Sequence, residues 1–207
     1  MNSDYELLES KVNNLAKEFG LRNFNSPQLL SGYLNPDRYY HNAKHVLHCL
    51  KEFDKVRRLA QNPFALEMGL FAHDSVYDSR RNDNELMSIN LLEAVLLEAQ
   101  SPPEEIKLSE RIVQVTDHKT VPLTLDEMLA VDIDLAIFGQ SQEVFDEHEA
   151  NIRKEYSWVL PEQFNEGRKK VLEYFLNRKS IYYTSYFREK YQKQAEENLK
   201  RSIAKLE

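Results

Sequence analysis

The chain has 207 residues, 42% of them hydrophobic and 29% charged; that is ordinary globular composition, which excludes a disordered or fibrous protein and predicts a single domain over residues 1–207. With 27 basic against 34 acidic side chains the net charge is −7, so the surface repels a phosphate backbone and no nucleic-acid partner is expected. Glycine occurs only 5 times, too seldom for the many tight turns of sandwiches, barrels or propellers.

The N-terminal stretch is acidic and already helical in pattern, with neither the basic nor the apolar region of a secretory leader. A first helix is predicted over residues 4–19, where Leu7, Leu8, Val12, Leu15 and Phe19 recur at helical spacing after Ser3 or Asp4 as cap. Ser26-Pro27 pairs a cap residue with a proline at the first helical position and opens a short helix to residue 33. After the turn at Asn35-Pro36-Asp37, a long helix is predicted from about 40 to 60, with Val46, Leu50, Phe53 and Val56 as its apolar stripe. It carries Cys49, the only cysteine. One thiol forms no intramolecular disulfide, and a cytoplasmic location is expected.

Pro63 starts a helix reaching about residue 74 that is apolar nearly all round, the mark of a central, buried element. A polar loop follows at 77–82, then helices over 83–100 and from Pro102-Pro103 to about 116. Thr124 and Glu127 form a capping box for a helix running to 137 and stopped by Gly139. Amphipathic helices follow over 141–158, 161–178 and 187–206. No segment alternates with period two, and no apolar run reaches the roughly 18 residues of a membrane span. The prediction is an all-α chain, a compact multi-helix bundle with no membrane association.

The histidines are unevenly placed. Three of six fall at His41, His45 and His48, and His73 is followed directly by Asp74 at the end of the apolar helix. On one helix His41 and His45, four apart, share a face. A buried Asp74 is costly unless a cation compensates it, and mixed imidazole–carboxylate sets suit borderline divalent metals. A zincin is excluded because residues 42–44 contain no Glu. A ferritin-like centre is excluded because no Glu lies three positions before any histidine. A cysteine zinc site is excluded by the single Cys. What remains is a His…His-Asp…Asp set whose last member is Asp132 or Asp134, about 200° apart on one helix.

The stretches RYYHNAKH (38–45), LFAHDSVYD (70–78) and VDIDLAIFG (131–139) together resemble the HD-domain superfamily of metal-dependent phosphohydrolases. NDNELMS (82–88), VTDHK (115–119) and GRKKVLEYFLNRKSIY (167–182) are similar to a bacterial family of predicted phosphohydrolases within it. The resemblance spans roughly residues 5–205. It implies an HD-type helical fold and one divalent ion (Mn, Fe, Co, Ni, Zn or Mg) held by His45, His73, Asp74 and a later aspartate. Asp134, which precedes Leu135, is favoured over Asp132 for that last place. YHNxxH (40–45) also resembles the start of the cyclic-nucleotide phosphodiesterase site, which implies His41 as general acid and His45 as metal ligand. Asp74 can in addition accept a hydrogen bond from the attacking water and orient it. Arg38, Asn42, Glu85, His118 and Arg153 are the expected substrate contacts. The substrate implied is a small phosphorylated metabolite of the nucleotide class. A homodimer is the one assembly considered. The competing reading is a non-catalytic metal- or nucleotide-binding regulator on the same helical fold.

Overall fold

Asparagine caps and prolines at first helical turns set five of the ten helix starts among the described residues. The computed structural model describes residues 3–206; residues 1, 2 and 207, which the one-domain expectation includes, lie outside the described residues. All regular structure among the described residues is helical. In chain order the helices are α1 (Ser3–Glu18), α2 (Ser26–Leu30), α3 (Ala43–Val56), α4 (Pro63–Ala72), α5 (Asn84–Glu98), α6 (Pro103–Val115), α7 (Leu125–Asp134), α8 (Gln142–Glu155), α9 (Pro161–Leu176) and α10 (Ser185–Lys205). Short 3₁₀ turns follow α2 (Ser31–Leu34), α3 (Arg57–Leu59) and α7 (Leu135–Gly139). No helix among the described residues is long and apolar enough to cross a membrane.

Several helices are shorter than expected, and two of these differences bear on predicted site residues. The helix expected from residue 40 begins only at Ala43, because the Asn42 side chain accepts the amide of Lys44 and caps it there. His41 therefore precedes α3 and does not share a helical face with His45. The helix expected to run to 137 tightens at Leu135 into a 3₁₀ turn.

The chain groups into two compact units, Met1–Ala130 and Val131–Glu207. In the first, α4 is the centre: residues 64–72 are all buried, and α1, α2, α3, α5 and α6 all pack on it. Its closest neighbour is α6. Gly69 permits that approach, since a Cβ there would overlap the side chain of Ile112. Both ends of α4 are tied down by polar groups. At its start the Asn62 side chain accepts the Ala65 amide at 2.9 Å, while Asp126 accepts the Gln61 and Asn62 amides, each at 2.7 Å. The single acid in the helix, Glu67, pairs at 2.8 Å with Arg57, whose guanidinium lies over the Phe53 ring.

In the second unit α10 packs on α9 and on the 3₁₀ turn Leu135–Gly139. Asn198 on α10 donates to the carbonyls of Phe138 and Gln140, both at 2.9 Å, and so satisfies the turn's buried acceptors. Asp132 is wholly buried and accepts the amides of Tyr183 and Thr184 and the Thr184 hydroxyl at 2.6–2.7 Å, fastening the start of α10. Burial pushes its carboxyl up to about 6, against the pull of those same hydrogen bonds. Replacing Asp132 by alanine leaves three donors without their acceptor. Denaturant unfolding is expected to record a loss of about 3 kcal/mol.

Candidate metal centre

The end of α4 is where chemically useful side chains collect. Helix α4 stops at Ala72, and its last carbonyls carry the negative end of the helix dipole, which favours a cation. His73 and Asp74 follow at once. His73 is 2% exposed, and its Nδ1 lies 2.9 Å from the Leu70 carbonyl. That contact makes Nδ1 the protonated nitrogen and leaves the Nε2 lone pair facing inward, as a metal ligand requires.

His45 meets it from α3. It is 4% exposed, and its Nε2 is 3.0 Å from His73 Nε2. Asp74 Oδ2 lies 3.2 Å from His73 Nε2 and 3.5 Å from His45 Nε2. Two ligands on one ion, each about 2.1 Å from it at angles of 90–109°, stand roughly 2.9–3.4 Å apart. Two of the three spacings fall within that range and the third, 3.5 Å, lies just beyond it. One thing the residue spacing did not single out is Cys49, one helical turn beyond His45 and fully buried. The His45, His73 and Cys49 ligand atoms lie within 4.8 Å of one another. The buried His45, Cys49 and His73 belong to a group that can hold a metal ion, and the half-buried Asp74 stands beside them. Burial alone would raise the Asp74 carboxyl, yet the imidazoles of His73, His41 and His45 hold it well below the usual carboxylate range.

Compared with family models, curated proteins and solved structures, the chain matches none.

Around the group the first unit builds a rigid frame. Arg38, 8% exposed, donates to the carbonyls of Asp74 at 2.7 Å and Ser75 at 3.3 Å, and its guanidinium lies between the Tyr33 and Tyr77 rings. Gly32 makes this clamp possible, because a Cβ there would run into the Ser75 carbonyl and the Arg38 guanidinium. Tyr33, wholly buried, donates its hydroxyl to the Phe71 carbonyl at 2.9 Å. The loop after Asp74 is gripped from α5. Ser88 accepts the Val76 amide and donates to the Val76 carbonyl, while Asn84 does the same with Asp78. That loop presents Tyr77, whose ring stacks on His41 at 3.8 Å. The His41 and His45 rings are 6.1 Å apart.

The remaining predicted residues are placed as follows. Asn42 caps α3 and donates to the carbonyls of Arg38 and Tyr39, so all its polar atoms serve the turn before the helix. Glu85 is half-buried in the first turn of α5, where an acid suits the helix dipole. The inward-facing members of the 82–88 stretch are its neighbours Asn84 and Ser88. His118 sits half-buried with a left-handed backbone (φ 57°) in a turn organised by Asp117, which accepts the amides of Lys119 and Thr120. Arg153, in the second unit, donates to the carbonyls of Tyr156 and Val159 and lies over the Phe164 ring, closing the end of α8. Asp134 is the final residue of α7 and half-buried. Its rival Asp132 has both oxygens engaged at the start of α10.

The role of Arg38 has a direct test. Arg38→Ala strips two main-chain acceptors of their partner and two aromatic rings of a stacked cation. An urea titration is expected to show about 3 kcal/mol of lost stability. Unchanged stability with a large rise in KM would instead make Arg38 a phosphate contact.

His48 is a second buried-base feature of α3. Its Nε2 is buried with no hydrogen-bond partner, and burial, reinforced by His45, pulls its pKa from the ordinary 6.5 down to about 4. Between those values the unfolded chain binds the proton and the folded chain does not. Stability from this residue is therefore full above pH 6.5 and is lost as pH falls towards 4. His48→Gln is expected to flatten the decline of the unfolding midpoint across that window.

Proposed function

We propose that the chain is a divalent-metal-dependent phosphohydrolase acting on a small phosphorylated metabolite of the nucleotide class, on an HD-type helical fold. The observation that carries the reading is the meeting of His45 Nε2, His73 Nε2 and Asp74 Oδ2 within 3.0–3.5 Å at the buried end of α4. His41 supports it: a third imidazole held near the same group by stacking on Tyr77 serves catalysis but adds nothing to mere metal storage.

When bound, a divalent ion lowers the pKa of a coordinated water towards neutrality and polarises the phosphoryl oxygen. The side chains do the rest. His73 is held by the Leu70 carbonyl in the tautomer that offers Nε2. Asp74, kept ionised by the surrounding imidazoles, accepts a hydrogen bond from the attacking water and turns a lone pair towards phosphorus. His41 donates a ring proton to the departing oxygen and recovers it from solvent. The Arg38 clamp and the Asn84–Ser88 grip keep Asp74 and Tyr77 from moving as the charge shifts, which limits reorganisation during the reaction.

The test is metal analysis of the purified protein, followed by turnover of bis(p-nitrophenyl) phosphate and a nucleotide panel with Mn, Mg, Co and Ni. Activity that a chelator abolishes and added metal restores is the expected result. Robust turnover after exhaustive metal removal overturns the reading. Tight metal binding without turnover of any substrate would assign the chain to the regulatory class instead.

A further inference from the structure

The metal-ligating side chains at the end of α4 include one that the HD-type pattern does not contain. Cys49 stands four residues after His45 on α3, so both side chains leave the same helix face one turn apart. It is 0% exposed, and its Sγ lies 3.8 Å from His45 Nε2 and 3.9 Å from His45 Nδ1. Together with His73 it forms a set of donors within 4.8 Å of one another. A sulfur at about 2.3 Å and an imidazole nitrogen at about 2.1 Å from a shared ion, at angles of 110–120°, are about 3.6–3.8 Å apart. The observed separation from Nε2 falls at the upper end of that range. Cys49 Sγ is thus in contact with one inward-facing imidazole, that of His45, and within 4.8 Å of a ligand atom of the other, that of His73.

We propose that Cys49 is a thiolate ligand of this centre, and that the centre is consequently selective for a thiolate-accepting ion, Zn²⁺, Co²⁺ or Fe²⁺, over Mg²⁺ or Mn²⁺. The inference rests on the metal-centre reading above and specifies which ion the centre takes. Thiolate, imidazole and carboxylate together suit the borderline ions, whereas hard ions take oxygen donors and gain nothing from sulfur. Coordination converts Cys49–SH and M²⁺ into a Cys49 S–M bond and one proton released to solvent, so uptake of the ion liberates acid. Because the sulfur comes from α3, the same helix as His45, the ligand requires no movement of the α4 end.

Cobalt reports the coordination sphere directly. The protein is stripped with chelator, loaded with Co²⁺ and examined by absorption spectroscopy, and the Cys49→Ser and Cys49→Ala variants are treated alike. The expected result is a near-ultraviolet thiolate-to-cobalt charge-transfer band in the native protein. The band is lost in both variants, whose visible ligand-field bands persist through the imidazoles. Competition titrations should show Zn²⁺ held at least about tenfold more weakly by Cys49→Ala, with Mg²⁺ affinity unchanged. Ligand-field bands without the charge-transfer band in the native protein overturn the cysteine assignment and leave the metal reading standing. Absence of both kinds of band, with no uptake of Co²⁺ or Zn²⁺, overturns the metal reading as well.

Discussion

Asp74→Ala is expected to lower metal affinity by at least about 100-fold and to abolish metal-dependent hydrolysis. The carboxylate stands 3.2 and 3.5 Å from the two imidazole nitrogens, and it is the only negative charge among those three groups. Without it a divalent ion loses the carboxylate that offsets its charge in a low-dielectric site, where uncompensated charge is costly. Stability gives a control. The backbone clamp on residues 74–75 uses carbonyls and not the carboxylate, so the variant keeps its Arg38 hydrogen bonds. Metal content measured by plasma emission and turnover measured on the same samples check the prediction. A variant that folds, binds metal as tightly as the native protein and turns over normally would remove Asp74 from the centre.

His41→Ala should separate binding from chemistry. The ring lies before α3 and stacks on Tyr77, and it is not one of the three groups whose nitrogen and oxygen atoms meet at 3.0–3.5 Å. Metal uptake should therefore be retained, while kcat falls by about 10²–10⁴-fold, the usual contribution of a positioned acid. The loss should shrink for substrates whose leaving group is already a weak base, such as a nitrophenolate, because that oxygen needs no proton. Equal losses for good and poor leaving groups would assign His41 to substrate positioning, and loss of metal would make it a ligand.

The Cys49 and Arg38 assignments sharpen what these two experiments mean. Arg38 appears in sequence as a cation beside a histidine motif, a natural phosphate contact. In the folded chain its guanidinium is turned onto the carbonyls of Asp74 and Ser75 and covered by Tyr33 and Tyr77. A charged side chain 8% exposed is well placed to hold the ligand-bearing turn and poorly placed to meet an incoming anion. Arg153 follows the same logic at the end of α8, where the carbonyls of Tyr156 and Val159, just past the helix, take its donors.

Much of this protein follows from local physics. Helical periodicity, proline at first turns and side-chain caps suffice to place the helices to within a few residues, since each signal acts over one or two turns. The all-round apolarity of residues 64–72 marks α4 as central because such a surface is stable only when every side is covered. The adjacency of His73 and Asp74 to that helix marks where the candidate centre lies. What only the tertiary structure decides is how each polar atom is engaged, since that depends on partners dozens of residues away. The Asn42 cap removes His41 from α3, the carbonyls of residues 74–75 occupy Arg38, and the start of α10 claims Asp132. Cys49 becomes a candidate ligand by the same rule: its four-residue spacing from His45 is visible in the chain, but only the crossing of α3 with the end of α4 brings His73 to the same place.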